Sequence, residues 1–358
     1  MTIAGRLQTD VKKMLPIWAV MVGGVLAAIF TVRQNAQSYL QAGIVERSHA
    51  SAVAQVAYFA GVHDWRKLLE SRGLSESGEV KLTGKPGDFK NDPLLLSARS
   101  KFETSLSIYP SQLDVHSKLA QLAYWNDEEG RAYYHLGMQD LQVGEKDQAE
   151  INFLRSMELS PGDHAAGLAL AELLAAKGDW VGSEEVLQRL GTEVSESGPG
   201  LFLRGEYELN RSNAAEGFAL LRKSLDKNPE RVEFYQRYLN YVQLSPELLE
   251  HLEFLEKTLE GSQTVSTPPY HRIALLYLQK GEFEKARSVY LRILEFNQQH
   301  VGIYMELAQV EYELGNSERA RQHLERALSM DYGQFLEQLK RQDLEDLRGI
   351  APQTMVKE

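Results

Sequence analysis

The 358-residue chain has no cysteine, so disulfides, thiolate metal sites and a cysteine nucleophile are all excluded. Glycine and proline are sparse, at 27 and 11 residues, too few for a protein built of strands and tight turns. Cationic excess is missing too: 39 Lys and Arg stand against 50 Asp and Glu, a formal net charge of -11. That balance argues against nucleic-acid binding, which needs clustered positive charge to neutralise phosphates. No GxSxG elbow and no histidine pair at i and i+4 occurs, and the only approach to a phosphate loop, Gly78 with Gly84-Lys85, is spaced one residue too far and followed by Pro86. Acidic pairs such as Glu128-Glu129 and Glu184-Glu185 read as solvated helix faces. These absences lead to the expectation of a non-enzymatic protein without metal or other cofactor.

One stretch lacks charge altogether. From Met14 to Val32 no ionisable side chain occurs, and at about 1.5 Å per residue the segment matches a hydrocarbon core of about 30 Å. With Trp18 near one end as an interfacial anchor, it reads as a single transmembrane helix. Arg6, Lys12 and Lys13 precede it, offset by Asp10, while Arg33 and then Arg47 with Glu46 follow. The positive-inside rule then keeps residues 1–13 cytoplasmic and puts the rest across the membrane. A cleaved signal peptide is the competing reading. Arg33-Gln34-Asn35-Ala36-Gln37 lacks the two small residues that a peptidase needs, which favours an uncleaved anchor.

What the chain does have is good helix formers, with 43% hydrophobic and 25% charged residues, enough to bury a large core. Glycines recur 34 residues apart as Gly144 and Gly178, and again as Gly281 and Gly315. Around the first pair, Tyr133, Leu136, Gly137, Ala149, Phe153, Ser156 and Pro161 resemble the tetratricopeptide repeat pattern in type and spacing. Asp140 departs from it, standing where the first helix usually carries a tyrosine. A later unit has Tyr270, Ile273, Ala274, Tyr277, Ala286, Tyr290 and Ile293, and the next has Tyr304, Leu307, Ala308, Ala320, Leu324 and Ala327. Between them lie degenerate units near 164 to 197, 198 to 231 and 232 to 266, where one extra residue breaks the frame. Small residues at Gly137, Ala149, Ala274, Ala286, Ala308 and Ala320 suit helices that approach to about 8 to 10 Å.

The expected fold is all-α, a tetratricopeptide-like helical-hairpin solenoid over 130–331 behind the anchor at 14–32. Residues 33–129 form a helical region of degenerate repeats: Ala98, Phe102, Ser105, Leu106 and Pro110 resemble a second helix, and Leu113 to Trp125 a lone first helix. Val53 to Trp65 resembles a helix and turn, comparing His63-Asp64-Trp65 with Gly178-Asp179-Trp180. The stretch 73–93 reads as a flexible loop. Residues 332–358 read as an amphipathic capping helix, with Phe335, Leu336, Leu339, Leu344 and Leu347, and a tail.

The resemblance implies a function. Proteins of this family bind other proteins or peptides on a concave face lined by first helices, and phase assigns to that face Tyr134, Met138, Leu141, Leu168, Phe202, Leu209, Leu275, Leu278, Met305 and Tyr312. The set is mostly apolar, which suits an amphipathic helix or extended apolar peptide. Only Asn240 and Arg272 fall where a carboxylate-gripping member would place its clamp, with Gln236 and Pro268 where lysines are expected. The expectation is a bacterial inner-membrane scaffold with its repeats in the periplasm, serving a cell-envelope machine for secretion, polysaccharide export, pilus or cytochrome biogenesis. The alternative is a regulatory or accessory subunit of a membrane enzyme complex.

Overall fold

The computed structural model describes residues 47–74, 82–108, 112–243, 245–262, 266–340 and 347. Among them are 17 helices and no strand. The segment 14–32 lies outside the described residues, and within those described no helix is long and apolar enough to cross a membrane. Two compact units divide the chain at Phe218 and Ala219.

The first unit contains α1 (Arg47–Arg72), α2 (Pro93–Ile108), α3 (Leu113–Trp125), α4 (Glu129–Val143), α5 (Lys146–Leu159), α6 (His164–Lys177), α7 (Trp180–Arg189), α8 (Thr192–Ser195) and α9 (Gly198–Asn210). It ends inside α10 (Ala214–Lys227), whose remainder opens the second unit. There follow α11 (Val232–Val242), α12 (Leu248–Gly261), α13 (Thr267–Gln279), α14 (Phe283–Phe296), α15 (Val301–Glu313), α16 (Ser317–Met330) and α17 (Tyr332–Leu339).

The 34-residue glycine spacing has a backbone cause. Gly144, Gly178, Gly281 and Gly315 all have φ between 74 and 87°, the left-handed conformation that ends a helix without a Cβ penalty. At Gly144, the amide of Glu145 donates to Asp140 O at 2.8 Å and that of Gly144 to Leu141 O at 3.2 Å. Two helix-end carbonyls are thereby satisfied. Ser212 stands 34 residues after Gly178, has φ 64°, and makes the same pair of bonds through Asn213 to Glu208 O and through itself to Leu209 O. The frame therefore runs on through the degenerate unit with serine in the glycine place.

Two hairpins of the first unit close on a glycine. A Cβ on Gly137 would lie 2.6 Å from the Phe153 ring, and one on Gly61 would lie 2.8 Å from the Phe102 ring. Phe102 and Phe153 are both fully buried. Gly61 with Asp64, and Ala98 with Phe102 and Ser105, thus reproduce the intervals of Gly137 with Asp140, and Ala149 with Phe153 and Ser156. α1 and α2 are one tetratricopeptide-like hairpin interrupted by an insertion at its turn. His63-Asp64-Trp65 is accordingly no turn: it lies inside α1, because the chain goes on helical until Gly73, φ 65°, ends it.

Asp140 also finds its place by this comparison. It accepts 2.6 Å from Asn152 Nδ2, and Asp64 accepts from Lys101 Nζ at 2.5 Å and Ser97 Oγ at 2.6 Å. In both hairpins a carboxylate on the first helix bonds the residue just before the phenylalanine, a polar tie where a tyrosine would have packed.

The insertion is not a free loop in its described part. Trp125 Nε1 and Gln121 Nε2 donate to Thr83 O at 2.7 and 2.9 Å. The amides of Gly87 and Phe89 donate to the carbonyls of Tyr124 and Trp125, both at 3.0 Å. Composition shows turn chemistry there but cannot show that the C-terminal end of α3 supplies the partners.

The two serines of the paired second helices differ in one respect. Ser105 Oγ lies 2.8 Å from Ala54 O and 2.6 Å from Gln112 Oε1, whereas Ser156 Oγ is buried with no hydrogen-bond partner. Substitution by alanine should therefore act in opposite directions. Ser156→Ala is expected to stabilise by about 1 kcal/mol and Ser105→Ala to destabilise by about 1–2 kcal/mol in urea unfolding. Equal effects of one sign would show that the two hydroxyls do not differ.

In the second unit Ala274, Ala286, Ala308 and Ala320 are all fully buried, each at a helix contact where a larger side chain would hold the backbones apart. Val301, Met305, Ala308, Ala320, Leu324 and Ala327 form a core with Phe335 of α17 and Leu347.

Candidate partner-binding surface

The ten positions assigned by phase divide between the units, six in the first and four in the second. On α4, Tyr134, Met138 and Leu141 follow one another at intervals of four and three residues, so they share a helix face. All three are half-buried, and with Leu168 of α6 they lean on one core of Phe153, Leu170 and Leu173. The Tyr134 ring lies 6.2 Å from that of Phe153 and 5.1 Å from that of His135. Burial, then Asp163 and Glu172, raises the Tyr134 hydroxyl above its ordinary value, so it remains a donor at neutral pH.

Phe202 is fully buried, while Leu209 is half-buried with its side chain where a Cβ on Gly217 would meet it at 2.6 Å. In the second unit Met305 is fully buried, and Leu275, Leu278 and Tyr312 are half-buried. Phe202 and Met305 therefore have no side-chain surface to offer a partner; both fill core. Helix phase alone counts any residue on the inner face as open to ligand, and packing against the next helix decides which are covered.

Polar groups that apolar phase reasoning leaves aside stand on the second unit's first helices. Gln236 and Asn240 on α11, and Gln243 at the cap just past its end, are all exposed and follow one another at intervals of four and three. Arg272 on α13 donates to Gln243 Oε1 at 3.3 Å. Gln309 on α15 donates 2.8 Å to Glu313 while its Oε1 is buried without a hydrogen-bond partner. Amides spaced along a helix can donate to and accept from a peptide backbone. Arg272 and Asn240 are both present at the surface, but Gln236 carries no charge to add to Arg272 toward a carboxylate.

Large apolar side chains are also exposed elsewhere in the first unit: Phe59 at 65%, Val181 at 60%, Ile151 at 58% and Leu154 at 44%. Ile151 and Leu154 lie on the face of α5 turned away from Ala149 and Phe153. Among the described residues no three His, Asp or Glu side chains gather to hold a metal ion.

Residues 271–341, which run from α13 to just past α17, match the tetratricopeptide repeat family. Together with the hairpins above, the described helices have an all-helical, tetratricopeptide-like fold. No curated protein matches the chain. Among solved structures, it is similar to a chain of the APC/C hetero-tetramer Cut9-Hcn1, at 13% identity and a TM-score of 0.39, over 73% of this chain and 56% of that one. The chain thus spans less than two thirds of that relative. It is also similar to the pilF protein of Pseudomonas aeruginosa, at 17% identity and a TM-score of 0.41, over 62% of this chain and 98% of that one. A tetratricopeptide repeat protein of Parabacteroides merdae matches at 15% identity and a TM-score of 0.35, over 80% and 98%.

Proposed function

We propose that the chain is a non-enzymatic scaffold that holds protein partners on its first helices while residues 14–32 anchor it in a bacterial inner membrane. The observation that carries the binding role is that each unit has half-buried apolar side chains on its first helices: Tyr134, Met138, Leu141 and Leu168 in the first, and Leu275, Leu278 and Tyr312 in the second. Such side chains are supported from behind by core and still offer one face, the arrangement that gives an anchor pocket most of its affinity. In the second unit the amides of Gln236, Asn240 and Gln243 suit the backbone of an extended segment. A cell-envelope assembly machine is the setting this reading favours.

Replacing Tyr134, Met138, Leu278 and Tyr312 together by serine is expected to abolish co-purification of the partners that the wild-type chain brings down from detergent extracts, with helicity unchanged. Replacing the exposed Ile151 and Leu154 by serine should leave capture intact. The reverse pattern would move the binding surface to α5. A scaffold should bring down several proteins, and one enzyme in fixed ratio would instead favour the accessory-subunit reading.

Topology rests on Arg6, Lys12 and Lys13 ahead of the uncharged run. A reporter that works only outside the cytoplasm should be active when fused after Glu358. Activity of a cytoplasmic reporter alone would reverse the orientation.

A further inference from the structure

Between α3 and α4 of the first unit lie two imidazoles that the binding surface does not use. Nδ1 of His116 and Nδ1 of His135 stand 3.1 Å apart, and each side chain is only 5% exposed. At that distance two ring nitrogens make a hydrogen bond only when one donates its N–H and the other accepts. A second proton on the pair sets N–H against N–H, and attraction becomes repulsion.

The first proton is opposed as well. After burial and His116 itself, the charged groups that act on His135 are Arg131, on its own helix α4, and Arg99 on α2, both positive. For His116 burial alone is at work. The carboxylates that meet those guanidiniums are already bound by them: Glu103 lies 2.9 Å from Arg99 and 2.7 Å from Arg131, and Glu128 lies 2.6 Å from Arg99. Neither imidazole has a carboxylate acting on it. The remaining aromatic neighbour, Tyr134, carries a neutral hydroxyl. An imidazolium formed here has no counter-ion and gains hydration only if α3 and α4 part.

We infer that His116 and His135 form a proton-sensitive latch, which holds α3 against α4 at neutral pH and releases it in acid. Burial brings His116 down to about 4 and His135 well below its ordinary 6.5. Release therefore falls between these limits, as pH drops from about 6.5 toward about 4. α4 also carries Tyr134, Met138 and Leu141, so release would loosen one wall of the binding surface. That last step rests on the binding reading above; the latch itself does not.

Hydrogen exchange of the full chain, read by mass spectrometry and corrected for intrinsic pH dependence, tests the latch without any partner. Amides of α3 and α4 are expected to exchange about tenfold faster near pH 5 than at pH 7, while α6 and α7 in the same unit keep their protection. The double variant His116→Asn with His135→Asn retains a side-chain amide near each Nδ1 position and cannot be protonated, and it should lose this difference. Equal protection of α3 and α4 at both pH values, or the same acid loss in the asparagine pair, would overturn the proposal. Should that variant fail to fold, NMR titration of the two imidazoles in the wild-type chain decides. Midpoints depressed together with the exchange transition support the latch, and ordinary midpoints near 6.5 reject it. Loss of partner capture in acid without any change in exchange would overturn the latch and assign the acid effect to the binding surface instead.

Discussion

Replacing Phe153 by alanine is expected to lower the unfolding free energy of the first unit by about 3–5 kcal/mol, measured by urea denaturation at neutral pH. The ring is fully buried and sits over Gly137 so closely that a Cβ there would be 2.6 Å from it. Removing the ring leaves a cavity in the core that Phe153 shares with Ala149, Ala166 and Leu170. The adjacent Leu154, 44% exposed, serves as the control: its replacement by alanine should change stability by about 0.5 kcal/mol or less. Comparable effects at the two positions would mean that the face assigned to α5 is wrong. The equivalence of the first hairpin makes a companion expectation, that Phe102→Ala costs a similar amount against Gly61.

Acidification is expected to destabilise the first unit before its carboxylates respond. A histidine whose folded-state value is depressed takes up its proton more readily in the unfolded chain. The stability it confers is therefore complete above about pH 6.5 and is lost as pH falls toward the folded value. For His116, brought from 6.5 to about 4 by burial, this corresponds to about 3–4 kcal/mol at about 1.4 kcal/mol per pKa unit. His135 adds in the same direction. Asp64, Asp92 and Asp114 lie below their ordinary 3.8: burial raises each, and the hydrogen bonds from Lys101, Arg72 and Tyr58 outweigh it. Their contribution goes only as pH falls below about 4. Asp140 works the other way. Burial holds it above 3.8 despite its bond from Asn152, so protonation near that value relieves a strain and partly offsets the histidine loss. Urea midpoints between pH 7 and pH 4.5 in the wild type and in the His116→Asn, His135→Asn pair isolate the histidine part. If both proteins lose stability equally over that range, the imidazoles are not its source.

The repeat period was readable because it is imposed by backbone geometry. A helix that ends in a left-handed residue selects glycine, and four glycines so placed are visible as two pairs, each 34 residues apart. Ser212 was hidden although it occupies the same conformation, φ 64°, since a serine gives no compositional sign of positive φ. The hairpin of α1 and α2 was half legible. Ala98, Phe102 and Ser105 showed the second helix, while the insertion separated it from Gly61 and Asp64 by an interval that no fixed period anticipates. Trp125 and Gln121 gave no hint that they would hold Thr83, because the hydrogen bonds run to a backbone carbonyl.

The binding surface divides on similar lines. Phase along a helix places Tyr134, Met138 and Leu141 on one face from sequence alone, as it does Leu275 and Leu278. It placed Phe202 and Met305 there equally well, yet both are fully buried, because the helices packed beside them close over those positions.

Local rules thus determined which segments are helices, where glycine stops them, and which small residues lie at the crossings, since each depends on a residue and neighbours within a turn or two. Tertiary structure alone decided the rest: that Asp64 and Asp140 tie paired helices, that the strap at 82–92 is held by α3, and that His116 meets His135. Each of those contacts joins residues 12 or more apart along the chain. No periodicity records such a meeting, which depends on how two helices are brought together and on what is then excluded from water.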